Sequence, residues 1–238
     1  MRLVNDLKSI EPLFHLRSSI APLKEMPRKH ISTICNGPFH VTLRNINQEW
    51  HQLSMDEVWV IFERWLYLTK HAFHLQIHNF VLMNNHYHMM LSTPEKNLSD
   101  AMMYFHREVS RDLNRFGNRI NRNFSGPFFK SQLLHTHNFL NCYKYVYQNP
   151  LRAGLVSRAE DYKYSTLSGI LGLQKLIVPV EYDYLLFDGK VEETLDWINS
   201  EILEENLESF RGALRKPQFK LRRDPVTRKP NILESHLI

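Results

Sequence analysis

The chain has 238 residues and a mass of 28.4 kDa, enough for one well-cored domain with an appendage or for two small domains. Apolar residues make up 43% and charged residues 23%, which argues against wholesale disorder, and apolar runs such as Phe80-Val81-Leu82-Met83 fall far short of the roughly 20 residues that cross a bilayer. The net charge of +5 is unevenly spread: residues 1–180 carry +8, residues 181–209 carry −9 and residues 210–238 carry +6, a block asymmetry that points to a nucleic-acid partner.

Charged residues stand in the first stretch, Met1-Arg2-Leu3-Val4-Asn5-Asp6-Leu7-Lys8, where an export signal needs an apolar run, so a cytoplasmic address is expected. Cys35 and Cys142 stand alone, outside any zinc-knuckle or disulfide spacing. Residues 1–26 read as a polar extension. Ile31–Ile34 and Phe39–Leu43 read as strands around the turn chemistry of Asn36-Gly37-Pro38. Ser54 and Glu57 form a capping-box signature, and Val58, Ile61, Phe62, Trp65 and Leu68 recur behind it at helical spacing. His74–Leu91 is dense in strand-forming residues and is broken at Asn84-Asn85, which predicts two adjacent strands. A second helix runs from about Asn97 to Gly117 on Leu98, Met102, Phe105, Val109, Leu113 and Phe116, and its other side carries Arg107, Arg111, Arg115 and Arg119, a row that can lie along a phosphate backbone or simply solubilise the surface.

Phe128–Leu134 reads as a strand, and Asn138 as the cap of a helix that Pro150 ends. The order β-α-β-β-α-β-α predicts an α+β fold of the split βαβ kind, an antiparallel sheet with helices packed on one face. Residues 175–238 read as a helical accessory segment followed by a basic tail, Arg211–Lys229, that serves as a flexible DNA-affinity arm or as plain surface.

Chemistry concentrates in two places. His86 and His88 sit two apart in a strand, so both imidazoles project from one face and can share a metal ion. His135 and His137 have the same spacing but lie just before a helix cap, in a setting that reads as loop and surface. Tyr145 and Asn149 are four apart on a helix and share a face. A carboxamide oxygen is a hard ligand suited to Mg²⁺ or Mn²⁺. Tyr143 and Tyr147 are rival nucleophiles, disfavoured because four residues beyond them stand Tyr147 and Leu151, neither of which can join a metal site.

Asn85-His86-Tyr87-His88 resembles the His-hydrophobic-His motif of single-tyrosine HUH transposases. Tyr145-Val146-Tyr147-Gln148-Asn149-Pro150-Leu151-Arg152-Ala153-Gly154-Leu155-Val156 resembles the signature of the REP-associated tyrosine transposases within that superfamily, with further echoes at Phe39–Asn45, Gly126–Ser131 and Tyr164-Ser165-Thr166. The resemblance spans roughly residues 27–173 and implies a catalytic domain over 27–174. It implies that Tyr145 is the nucleophile, that His86, His88 and Asn149 hold a divalent metal, Mg²⁺ or Mn²⁺, and that Arg44, Lys130 and Arg152 touch DNA. The implied activity is metal-dependent nicking and rejoining of single-stranded DNA beside a hairpin through a 5′-phosphotyrosine. Relatives usually have Pro where Asn84 stands and a smaller aliphatic residue at Tyr87. Two alternatives stay open: a catalytically silent DNA-binding protein of the same fold, and a metal-dependent phosphodiesterase that uses water. Relatives include dimers and monomers, and the C-terminal extension tilts the expectation towards a monomer.

Overall fold

The computed structural model describes residues 37–187, 189–223 and 227–237. The expected extension over 1–26 and the strand Ile31–Ile34 lie outside the described residues. Strand β1 (Phe39–Arg44) alternates as its sequence dictates, with Phe39, Val41 and Leu43 buried in one core and His40, Thr42 and Arg44 on the other face. Helix α1 (Met55–Phe73) starts at a complete capping box, in which Ser54 Oγ accepts from the Glu57 amide and the Glu57 carboxylate accepts from the Ser54 amide at 3.0 Å. It ends at His74, whose φ of 52° turns the chain out of the helix.

The Asn84-Asn85 break does separate two strands, β2 (Gln76–Leu82) and β3 (His86–Ser92). Helix α2 (Leu98–Phe116) and strand β4 (Phe129–Gln132) follow, then α3 (Thr136–Tyr147), α4 (Asn149–Arg152), α5 (Thr166–Ile170), α6 (Tyr184–Phe187), α7 (Val191–Asn199) and α8 (Glu204–Leu214). The strands pair in the order β2-β3-β1-β4, and every pair is antiparallel. This is the split βαβ sheet expected from the element order.

The helices cover both faces of the sheet rather than one. Helices α1 and α2 bury Phe62, Leu66, Phe105 and Val109 against Phe39, Val41, Tyr87 and Met89. On the other face Val81, Met83 and Met90 meet Tyr143 and Val146 of α3 and the C-terminal residues Phe187, Ile198, Phe210 and Phe219. The reason is legible in hindsight: Phe80-Val81-Leu82-Met83 and Met89-Met90-Leu91 are continuous apolar runs, and such runs bury both faces of a strand.

Three other local expectations change. Asn138 is a buried residue inside α3, whose N-cap is His135. Pro150 lies in the first turn of α4, where its missing amide hydrogen costs nothing, instead of following the end of helical structure. The basic tail is docked over residues 217–221: Pro217 carbonyl accepts from the Gln132 amide at 2.9 Å, Gln132 carbonyl accepts from the Phe219 amide at 2.8 Å, and Phe219 and Leu221 are buried. The segment thus covers the outer edge of β4, where unpaired backbone groups would otherwise face solvent. No helix among the described residues is long and apolar enough to cross a membrane.

Candidate active site

The pleat of β3 sends Tyr87, Met89 and Leu91 into the core under α1 and α2 and leaves His86, His88 and Met90 on the face covered by α3. The two imidazoles stand with centroids 5.0 Å apart and planes at 86°. Register places Thr42 beside His88 and Arg44 beside His86 on β1. Helix α3 crosses this face with Tyr145 turned towards the pair: its ring meets His88 edge-on at 5.7 Å. The rivals are elsewhere. Tyr143 and Tyr147 are fully buried and contact each other at 5.0 Å, and the Tyr147 hydroxyl is engaged with Thr166 Oγ1 at 3.0 Å.

The other side of α3 is tied down by the C-terminal segment. Gln148 Nε2 donates to the carbonyls of Ile198 and Ser200 at 2.7 and 2.6 Å, and Lys144 Nζ donates to Ser200 Oγ at 2.7 Å. Phe210 of α8 packs on Tyr145 at 5.5 Å. The Arg152 guanidinium lies 5.3 Å from the Tyr145 ring centroid, and its Nη1 is buried with no hydrogen-bond partner. A buried guanidinium nitrogen without an acceptor, beside a phenol, suits a phosphate oxygen.

Both imidazoles are held in the neutral form by their surroundings. Burial, with Arg44 alongside, lowers His86 to a pKa of about 4. Burial first, then the neighbouring His40, His86, Arg44 and Arg152, holds His88 well below its ordinary value. Both are therefore neutral near pH 7, the form that offers a lone pair. His86 Nδ1 contacts Asn85 Oδ1 at 2.7 Å, so Nδ1 carries the proton and Nε2 the lone pair. His88 Nδ1 contacts His40 Nε2 at 2.9 Å. Neither Nε2 has a hydrogen-bond partner among the described residues.

Among the described residues no three His, Cys, Asp or Glu side chains converge as a metal cage, so a third protein ligand would have to come from another side-chain type. Asn149 follows Tyr145 by one helical turn, and its Nδ2 donates to the Tyr145 and Val146 carbonyls at 2.9 and 3.2 Å. That turns its amide nitrogen into the helix and leaves Oδ1 as its unengaged atom. The two imidazoles offer unengaged Nε2 atoms as nitrogen donors, and the carboxamide oxygen of Asn149 is a hard donor of the kind Mg²⁺ or Mn²⁺ accepts.

The structure thus gathers His86, His88, Tyr145, Arg44 and Arg152 on one face. Asn149 lies beside Tyr145 on the same helical run, and no contact joins it to either imidazole. Lys130 stands apart: it pairs with Val41, which points into the core under α1 and α2, so its side chain leaves the sheet on the face opposite the histidines. The arginine row of α2 is also on that far side, where Arg107 and Arg111 flank the buried carboxylate of Glu108. The sequence reading missed His40, which contacts both His88 and Tyr145, the latter at 6.2 Å. The alternation of β1 marks His40, Thr42 and Arg44 as one face, but which strand lies beside them is a tertiary fact.

No family model matches the chain, and no curated protein matches it in sequence. Among solved structures it resembles a REP-associated tyrosine transposase determined bound to a REP hairpin, with a TM-score of 0.50 and 17% identity, over 67% of this chain and 93% of that one. A structure from Deinococcus radiodurans, provisionally described as a transposase, aligns with a TM-score of 0.35 and 14% identity over 51% of this chain and 95% of that one, which adds no weight. The chain has the fold of the REP-associated tyrosine transposase, an antiparallel sheet of the split βαβ type with helices on it.

Proposed function

We propose that this chain is a transposase that nicks and rejoins single-stranded DNA flanked by a hairpin, with Tyr145 as nucleophile. The observation that carries the reading is the edge-on meeting of Tyr145 with His88 at 5.7 Å, because a phenol and a neutral imidazole pair from separate segments converge on one polar patch of an otherwise apolar sheet face. The Tyr145 hydroxyl oxygen attacks the scissile phosphorus, a phosphotyrosine bond forms, and the P–O bond to the 3′ oxygen breaks to give a free 3′-OH. A later 3′-OH attacks the same phosphorus and releases the tyrosine, so strands rejoin without an external energy source. Arg152 holds a phosphate oxygen over the ring, and Arg44 adds positive charge beside His86. His86, His88 and Asn149 would hold a Mg²⁺ or Mn²⁺ ion, which would supply Lewis-acid polarisation of the phosphate. Tyr145 meets His88 within one chain, and a single copy is taken as the acting unit.

The test is incubation of the protein and of Tyr145→Phe with end-labelled hairpin DNA and Mn²⁺. Wild type is expected to give a denaturant-resistant protein–DNA adduct and the variant none. An adduct on the variant removes Tyr145 from its role, and release of cut DNA with no adduct favours water as nucleophile.

One observation favours a second reading, a DNA-binding protein that no longer cuts. Tyr145 is only 7% exposed and is covered by Phe210. Tight hairpin binding without nicking at any Mn²⁺ or Mg²⁺ concentration would support it.

A further inference from the structure

Trp50, on the loop between β1 and α1, is 71% exposed. An indole usually buries most of its surface, so one held outward calls for a reason. The other three tryptophans, Trp59, Trp65 and Trp197, are buried or half-buried.

The loop that carries Trp50 is pinned in place. Asn47 and Gln48 take φ of 52° and 58°, a left-handed conformation that non-glycine residues rarely adopt and that persists mainly where function requires it. Hydrogen bonds fix the backbone on both sides of the indole. Asn85 Nδ2 donates to the Gln48 carbonyl at 2.9 Å, Asn45 Nδ2 donates to the Glu49 carbonyl at 3.0 Å, and the His51 amide donates to the Asn84 carbonyl at 3.0 Å. Arg119 Nη2 ties in the loop after α2 by donating to Glu49 Oε2 at 3.0 Å, and the next residue on that loop, Ile120, is 96% exposed.

These anchors place Trp50 beside the proposed active site. Asn84 and Asn85 form the turn into β3, and Asn85 Oδ1 contacts His86 Nδ1 at 2.7 Å. The surroundings are basic: Arg44, the register neighbour of His86, is exposed, as is Arg122, and Glu49 is the single acidic residue in 45–53 and 117–125. An exposed aromatic ring among arginines matches single-stranded nucleic acid, whose bases stack on the ring while its phosphates meet the cations. A base inside a duplex has both faces covered by its neighbours and cannot use such a ring.

We propose that Trp50 is a stacking platform for an unpaired base of the DNA strand that passes His86. The inference deepens the single-stranded-DNA reading of that site and rests on it. The indole takes one face of the base, and Arg44 and Arg122 supply positive charge for the phosphates.

The test uses the full chain in EDTA, so that binding is read without cutting, with two end-labelled DNAs: a hairpin with mixed-sequence single-stranded flanks and the same hairpin made blunt. The flanked hairpin is expected to quench the red-shifted emission of the exposed indole, and the blunt one to leave it unchanged. In Trp50→Ala the quench is expected to vanish and affinity for the flanked hairpin to fall about 5- to 100-fold, with affinity for the blunt hairpin unchanged. Trp50→Phe keeps a ring to stack on and is expected to recover most of the loss, which a merely electrostatic surface does not predict; it also serves if the Ala variant folds poorly. Unchanged affinity for the flanked hairpin in Trp50→Ala overturns the platform and leaves the DNA reading standing. Quenching by the blunt hairpin as strong as by the flanked one overturns the assignment to an unpaired base. Wild-type protein that binds neither DNA overturns the DNA reading itself, and the platform with it.

Discussion

Tyr145 of α3 and His88 of β3 meet with ring centroids 5.7 Å apart and planes at 86°, although α2 and β4 lie between them in the chain. The contact exists because β3 runs near the middle of the sheet and α3 crosses the face to which its even-numbered residues point. It makes the phenol oxygen dispensable for packing, since the ring alone fills the space between His88 and Phe210.

Tyr145→Phe is therefore expected to leave unfolding free energy within ~1 kcal/mol of wild type and hairpin affinity unchanged, while covalent adduct formation is lost. Denaturant melts, a binding titration and an adduct gel on the same preparation check the three together.

Arg152→Lys keeps the charge but removes the planar fork above Tyr145. The lost charge-assisted hydrogen bond is worth about 1.5–3 kcal/mol, so the single-turnover nicking rate is expected to fall by about ten- to a hundredfold. A rate within error of wild type would place the guanidinium outside the transition state.

Lys144 is fully buried, with Nζ bound to Ser200 Oγ at 2.7 Å and 5.5 Å from the Trp197 ring centroid. Burial pulls its pKa to about 8, below the ordinary lysine value of about 10.4. Between those values the unfolded chain holds a proton that the folded protein has released, so stability rises with pH across that window. The urea midpoint is expected to increase from pH 7.5 to pH 9.5, and Lys144→Met is expected to flatten the increase.

Buried histidines set the acid side, His106 and His51 among them. Burial lowers His106 to about 3, and burial with His86 nearby lowers His51 to about 4. Below the unfolded value near 6.5 the unfolded chain takes up protons that these folded sites refuse, so the stability they leave intact above pH 6.5 is lost as pH falls towards their folded values. Each removes up to about 1.4 kcal/mol per pH unit in that range. His106→Gln can still bond the Tyr87 hydroxyl, which His106 Nε2 meets at 2.6 Å, and it cannot titrate. Its stability is expected to fall less steeply than that of wild type between pH 6.5 and 4.5 in denaturant titrations.

The sequence by itself determined the strands and helices that position the site. Ser54 and Glu57 cap α1 because both halves of their box are local, and Asn84-Asn85 breaks β2 from β3 because turn chemistry needs no distant partner. The period of two in β3 placed His86 and His88 on one face, and the period of 3.6 placed Asn149 one turn after Tyr145. What only the tertiary structure decided is which faces meet. Register against Val41 turns Lys130 away from the histidines. Docking of the 217–219 segment on β4 makes an anchored edge of what reads as a loose tail, and packing of α8 sets Phe210 over the nucleophile. His40 became part of the site through its neighbour on β3. These facts depend on contacts between residues far apart in the chain, whose pairing is fixed by burial and hydrogen bonding across the whole sheet, and no local pattern of residue types encodes them.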